Sequence, residues 1–89
     1  METKRAYLPD LSFIEWSLAE IKPDRWRLHG VKYRMAWVQA GACRVLFDNH
    51  HGKGDHVHID GVEKPYKFES FAKLKADFEQ EVRKLGGRI

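Results

Sequence analysis

At 89 residues the chain has room for one domain, in which about two thirds of the unfolded surface can be buried and a single small core is possible. Hydrophobic residues at 43% and charged residues at 33% exclude intrinsic disorder, and 16 basic against 13 acidic side chains give a net charge of +3, a mild bias towards phosphate or acidic protein. One cysteine excludes an internal disulfide and fits a reducing compartment, and no stretch has the apolar length of a signal core or a membrane span, so a cytoplasmic chain is expected.

Residues 13–19 alternate with period two, Ile14, Trp16 and Leu18 on one face and Glu15 and Ser17 on the other, which predicts a half-buried strand. Residues 22–30 open with a turn-forming Pro23-Asp24 and mix charges around Trp26 without a period, as expected of a long, mobile connection with Trp26 exposed. From 31 to 39 the alternation returns with Val31, Tyr33, Met35 and Trp37. Ala40-Gly41 supplies a short turn, and Cys43, Val45 and Phe47 continue the apolar series, with Cys43 read as a small core residue. Residues 56–59 come back as a further hairpin strand ending at Asp60-Gly61, and 62–68, interrupted by Pro65, reads as a connection or an edge strand. Phe71, Leu74, Phe78, Val82 and Leu85 then recur at helical spacing, with Ser70 as N-cap and Gly86 as the stop. The prediction is one α+β domain over residues 1–89, an antiparallel β-meander of about four strands packed against one C-terminal α-helix.

Residues 48–60 hold four of the five histidines, His50, His51, His56 and His58, with Asp48, Asp55 and Asp60, and with Lys53 between Gly52 and Gly54. His56 and His58 are two apart, so on a strand both rings share a face. They can serve as an acid/base pair near neutral pH, with Asp48 or Asp55 orienting an imidazole. Lys53, the backbone at Gly52 and Gly54, and Arg34 can hold a phosphate. The loop is not a Walker motif, which needs a further upstream glycine and a following Ser or Thr. A divalent ion offers a second reading, with His56, His58 and a third ligand such as His50, or else His51, Asp48 or Asp55, suiting zinc, manganese or iron. An ordinary solvated hairpin loop accounts for any one of these histidines but less well for the cluster. Lys32, Arg34 and Arg44 would extend a basic surface beside it. Among the aromatics Trp26 is the candidate for base stacking, with Tyr66 a further one, whereas Tyr33 and Trp37 belong to the core face.

Five segments carry a resemblance: Lys32-Tyr33-Arg34; Val45-Leu46-Phe47-Asp48-Asn49; Gly52-Lys53-Gly54-Asp55-His56-Val57-His58; Glu63-Lys64-Pro65-Tyr66-Lys67-Phe68; and Leu74-Lys75-Ala76-Asp77-Phe78. In this order and spacing the stretch 32–78 resembles the TumE family, the toxin halves of prokaryotic toxin–antitoxin pairs. The resemblance implies a small cytoplasmic toxin silenced by a cognate antitoxin, often a DNA-binding protein. It carries over no catalytic residue set, and His50-His51 departs from the acidic residue it leads one to expect after Asn49. Joined to the histidine cluster, it favours a toxin that cleaves RNA without a cofactor. The rivals are a non-enzymatic domain that binds nucleic acid or a partner protein, and a metal-dependent nuclease. Trp16, Trp26 and Trp37 are many large side chains for so small a core, which leaves room for a homodimer.

Overall fold

Alternating side chains with short turns between them can only pair with their neighbours in the chain, and the resulting sheet is a simple meander. The computed structural model describes residues 2–50 and 52–89. Strands β1 (Lys4–Tyr7), β2 (Phe13–Glu20), β3 (Val31–Gln39), β4 (Ala42–Asp48), β5 (His56–Ile59) and β6 (Val62–Pro65) lie side by side in chain order, each antiparallel to the next. Helix α1 (Phe71–Lys84) packs on one face, giving the expected α+β architecture. There are six strands rather than about four because β1 and β6 extend the sheet at its two edges. All their residues are exposed, so neither carries the half-buried alternation by which a strand is read. Pro65 ends β6 on the sheet edge, where the missing N–H costs no ladder bond.

Tyr33, Met35 and Trp37 of β3, Val45 and Phe47 of β4 and Val57 of β5 face Leu74, Phe78 and Val82 of the helix, and together these nine side chains form the core. Trp37 is wholly buried, and its indole N–H donates to Ser12 Oγ at 3.0 Å, so its polar atom is not stranded. Ser70 caps the helix, its Oγ accepting from Lys73 N, while Arg83 and Lys84 sit in the last turn, where cations suit the helix dipole. Gly86, at φ +92°, takes the left-handed turn just beyond the helix end. The helix does not cover the first strands, and an apolar groove of about 380 Å³ is left there, lined among others by Leu8, Ile14, Trp16 and Phe71. Of the three tryptophans behind the homodimer expectation, Trp37 is therefore used up in the core, and Trp16 lines this groove. Among the described residues no helix is long and apolar enough to cross a membrane.

Three expectations are corrected. The pairing of Trp37 with Val45 and of Val38 with Cys43 leaves Arg44 as an extra residue, a bulge that shifts the phase of β4. Cys43 accordingly joins Val38 on the face away from the helix and is exposed rather than a core residue. Arg44 turns the other way: its guanidinium lies 5.4 Å from the Trp37 ring and is bonded to Asp60 and Gln39, so it leaves the basic surface expected around Arg34.

The third correction concerns the 22–30 connection, which is tied down rather than loose. Asp24 Oδ1 accepts from the backbone N–H groups of Trp26 and Arg27, and Asp24 Oδ2 accepts from the Arg27 guanidinium. That guanidinium holds the Asp24 carboxyl below the usual range. Arg27 is itself buried and reaches Asn49 O at 3.4 Å. Trp26 is half-buried, not exposed.

Candidate functional site

On the sheet face away from the helix, strand register decides which polar side chains meet. Because Phe47 pairs with Val57 on the core side, the neighbouring pairs Asp48 with His56 and Leu46 with His58 project outward. Arg34 is opposite Asp48 on the other side of β4, and Glu63 is opposite His58 on β6. One row thus runs Arg34, Asp48, His56 across three strands, and an adjacent pair, His58 and Glu63, spans the next two. The rings of His56 and His58 share a face, as period two requires, with centroids 4.9 Å apart and planes nearly perpendicular at 82°.

His56 is almost fully buried, and its hydrogen bonds define its chemistry. Nδ1 lies 2.9 Å from Gly54 O, and since a carbonyl only accepts, Nδ1 carries a proton. Nε2 lies 2.6 Å from Asp48 Oδ1. A carboxylate oxygen also only accepts, so a proton on Nε2 makes this contact an imidazolium–carboxylate pair. Oδ1 is sealed from solvent and accepts no hydrogen bond. His58 is only half-buried and is the more accessible imidazole.

Beside His56 an open depression of about 410 Å³ is lined by Lys53, Asp55, His56, Glu63, Lys64 and Pro65. Lys53 Nζ bonds Glu63 Oε1 at 2.7 Å, and this contact, followed by the charges of Lys53 and of His58 and His56, keeps the Glu63 carboxyl below the usual range. Both side chains are 42% exposed, so an incoming anion can take the lysine from its partner at little cost. The backbone around Lys53 behaves otherwise than expected: the N–H groups of Lys53 and Gly54 both turn inward to His50 O, so they do not cradle an anion. The Lys53 side chain, by contrast, stands at the rim of the depression.

The two glycines differ in what surrounds them. Both have positive φ, but a Cβ on Gly54 would sit 3.1 Å from Trp26 O, whereas one on Gly52 would meet nothing. Gly54→Ala should therefore cost about 2 kcal/mol or more and Gly52→Ala about 1 kcal/mol, a difference that urea denaturation resolves.

A family model described as Toxin TumE matches residues 3–85. The chain belongs to the TumE toxin family. No curated protein and no solved structure matches it. The match takes in the first strands, where the sequence resemblance offered no correspondence, and membership makes the chain the toxin component of a toxin–antitoxin system with a cognate antitoxin.

Of the site residues predicted for this TumE toxin, Asp48, His56, His58 and Arg34 meet on one face, with Lys53 at the rim of the depression. Arg34 is 44% exposed, and its nearest carboxylate outside the row is Glu15 at 3.9 Å. His50 is exposed, with its ring 5.5 Å from that of His56. His51 lies outside the described residues.

Asp55 is not part of the histidine pair. Its Oδ1 accepts from Tyr33 Oη and Asn49 Nδ2 and contacts His29 Nε2, and its Oδ2 accepts from Phe68 N. Burial and the adjacent Asp55 both raise the Tyr33 phenol, which stays a donor. Of the two carboxylates expected to orient an imidazole of the pair, Asp48 lies against His56, and Asp55 instead anchors His29 and the core edge. Two residues were given no role in the site by the sequence: Glu63, brought opposite His58, and Asn49, buried as a bracket between β3 and the loop. Among the base-stacking candidates, Tyr66 is engaged inward, its hydroxyl donating to Asp77 at 2.7 Å and its ring edge-on to Phe47.

Proposed function

We propose that this TumE toxin cleaves RNA through the substrate's own 2′-hydroxyl on the outer face of the sheet. His58, accessible and flanked by Glu63, takes the proton from the 2′-hydroxyl. The 2′-oxygen attacks phosphorus, the bond from phosphorus to the 5′-oxygen breaks, and His56, carrying a proton on Nε2, gives it to the departing oxygen. Asp48 orients the His56 ring, while Lys53 and Arg34 stabilise the charge that grows on the phosphoryl oxygens. The products are a 2′,3′-cyclic phosphate and a 5′-hydroxyl, and no cofactor is needed for the balance.

The observation that carries this reading is the perpendicular pair His56 and His58 with a carboxylate on the inner ring, beside a depression that also offers a lysine. The RNA would be met in the cytoplasm, and the antitoxin, taken to be a DNA-binding protein, would silence the chain by covering this face.

The test is to incubate the purified chain with single-stranded RNA in the presence of a chelator. Fragments ending in cyclic phosphate, with a DNA of the same sequence left whole, are expected. RNA that is bound in a salt-sensitive way but stays intact would replace this reading with a non-enzymatic binding role. Cleavage abolished by the chelator and restored by one divalent ion would replace it with a metal-dependent nuclease.

A further inference from the structure

We propose that Asp48, His50 and His56 form a binding site for a divalent transition-metal ion, with zinc the best fit. One oxygen and two imidazole nitrogens, all within 4.8 Å of one another, form a ligand set that suits this class of ion and not magnesium or calcium, which prefer oxygen throughout.

Three features of the site point to an ion rather than to a chance cluster. First, Asp48 Oδ1 is sealed from solvent and accepts no hydrogen bond, so a bound cation would give this buried oxygen a partner bond that it otherwise lacks. Second, His56 donates through Nδ1 to a backbone carbonyl, the arrangement by which metal-binding histidines fix their tautomer and aim Nε2 at the ion. Third, Oδ1 and Nε2 already lie side by side at 2.6 Å, as two ligand atoms of one ion must. Metal–ligand bonds of ~2.0–2.2 Å set tetrahedral ligand atoms roughly 3.3 Å apart, so the contact need widen by only about 0.7 Å. His50, exposed and with its ring perpendicular to that of His56, has the freedom to complete the set.

A second grouping, His56, His58 and Glu63, shares His56 and meets the same distance limit. It is the weaker candidate because Glu63 already has a cation, Lys53, at 2.7 Å, whereas Asp48 Oδ1 lacks a hydrogen bond. The ligand set thus differs from the sequence expectation of His56, His58 and His50: Asp48 takes the place of His58. The inference goes beyond RNA cleavage and does not depend on it. A bound ion would occupy the Nε2 position that the acid role uses, so ion and substrate would compete for His56.

Isothermal titration of the full chain with zinc chloride, in a non-chelating buffer and without RNA, tests the site. One equivalent bound is expected, with affinity lowered at least tenfold in His50→Ala and in Asp48→Asn and unchanged in Glu63→Gln. His50 is exposed, so its variant keeps the fold, which a thermal melt verifies. Absence of binding, or zinc affinity that is unaltered by His50→Ala, overturns the proposal. Affinity lost in Glu63→Gln and kept in His50→Ala also overturns it, in favour of the second grouping.

Discussion

Replacing His58 with alanine is expected to slow RNA cleavage by about 10²–10⁴-fold, the usual loss when a positioned acid or base is removed, while leaving the protein folded. His58 is half-buried on the outer face, pairs only with Leu46 and Glu63 across the strands, and has no part in the core. His56→Ala should cost as much in rate and, unlike His58→Ala, should also weaken the fold. Its ring is almost fully buried, donates to Gly54 O and lies 2.6 Å from Asp48 Oδ1. Leaving that buried oxygen without its neighbour, and Gly54 O without its donor, should cost about 1–3 kcal/mol, read as a lower urea midpoint. Single-turnover cleavage and urea titration of the two variants separate the roles. Unaltered cleavage by His58→Ala would end the assignment of His58 as base.

The contrast between the two histidines also marks what a sequence can and cannot convey. That they share a face follows from period two and needed no structure. That one is buried against Asp48 and the other meets Glu63 depends on register, which is fixed by turns. Part of this was available: Asp60-Gly61, with both residues at positive φ (47° and 82°), is the two-residue turn that sets Ile59 opposite Val62 and hence His58 opposite Glu63. Read as a hairpin turn rather than as a strand end, it would have named Glu63.

The bulge at Arg44 was not available in the same way. Cys43, Val45 and Phe47 alternate as well as any strand in the chain, and nothing in those letters says that one extra residue will send Cys43 outward. The backbone at Lys53 and Gly54 is similar. Its glycines promise exposed N–H groups, and only the fold reveals that His50 O has taken them. The helix, by contrast, was legible in full, from Ser70 to Gly86, because cap, stripe and stop are all local signals.

Asn49→Ala is the substitution expected to damage the fold most for the fewest atoms removed. The side chain is 1% exposed, with Oδ1 accepting from Tyr33 N at 3.1 Å and Nδ2 donating to Val31 O at 2.8 Å and to Asp55 Oδ1 at 3.2 Å. It thereby closes the open end of the β3–β4 pair and joins it to the carboxylate that anchors His29, Tyr33 and Phe68. Alanine leaves these partners without it in a place that water does not readily reach. At ~1–3 kcal/mol for a buried group left unsatisfied, a loss of about 2–4 kcal/mol is expected in urea denaturation. Asn49→Asp keeps the acceptor for Tyr33 N but sets a second carboxylate against Asp55 and an oxygen against Val31 O, so shape alone should not rescue it. Because Asn49 lies between Asp48 and His50 in the chain, the loosened loop should also misplace the acid end of the histidine pair. Cleavage by the folded fraction of Asn49→Ala should then fall while that of Gly52→Ala, altered at an open position of the same loop, stays near the wild-type rate. A stability loss below 1 kcal/mol in Asn49→Ala would mean that the bracket is dispensable and that the loop is held by Arg27 and Gly54 instead.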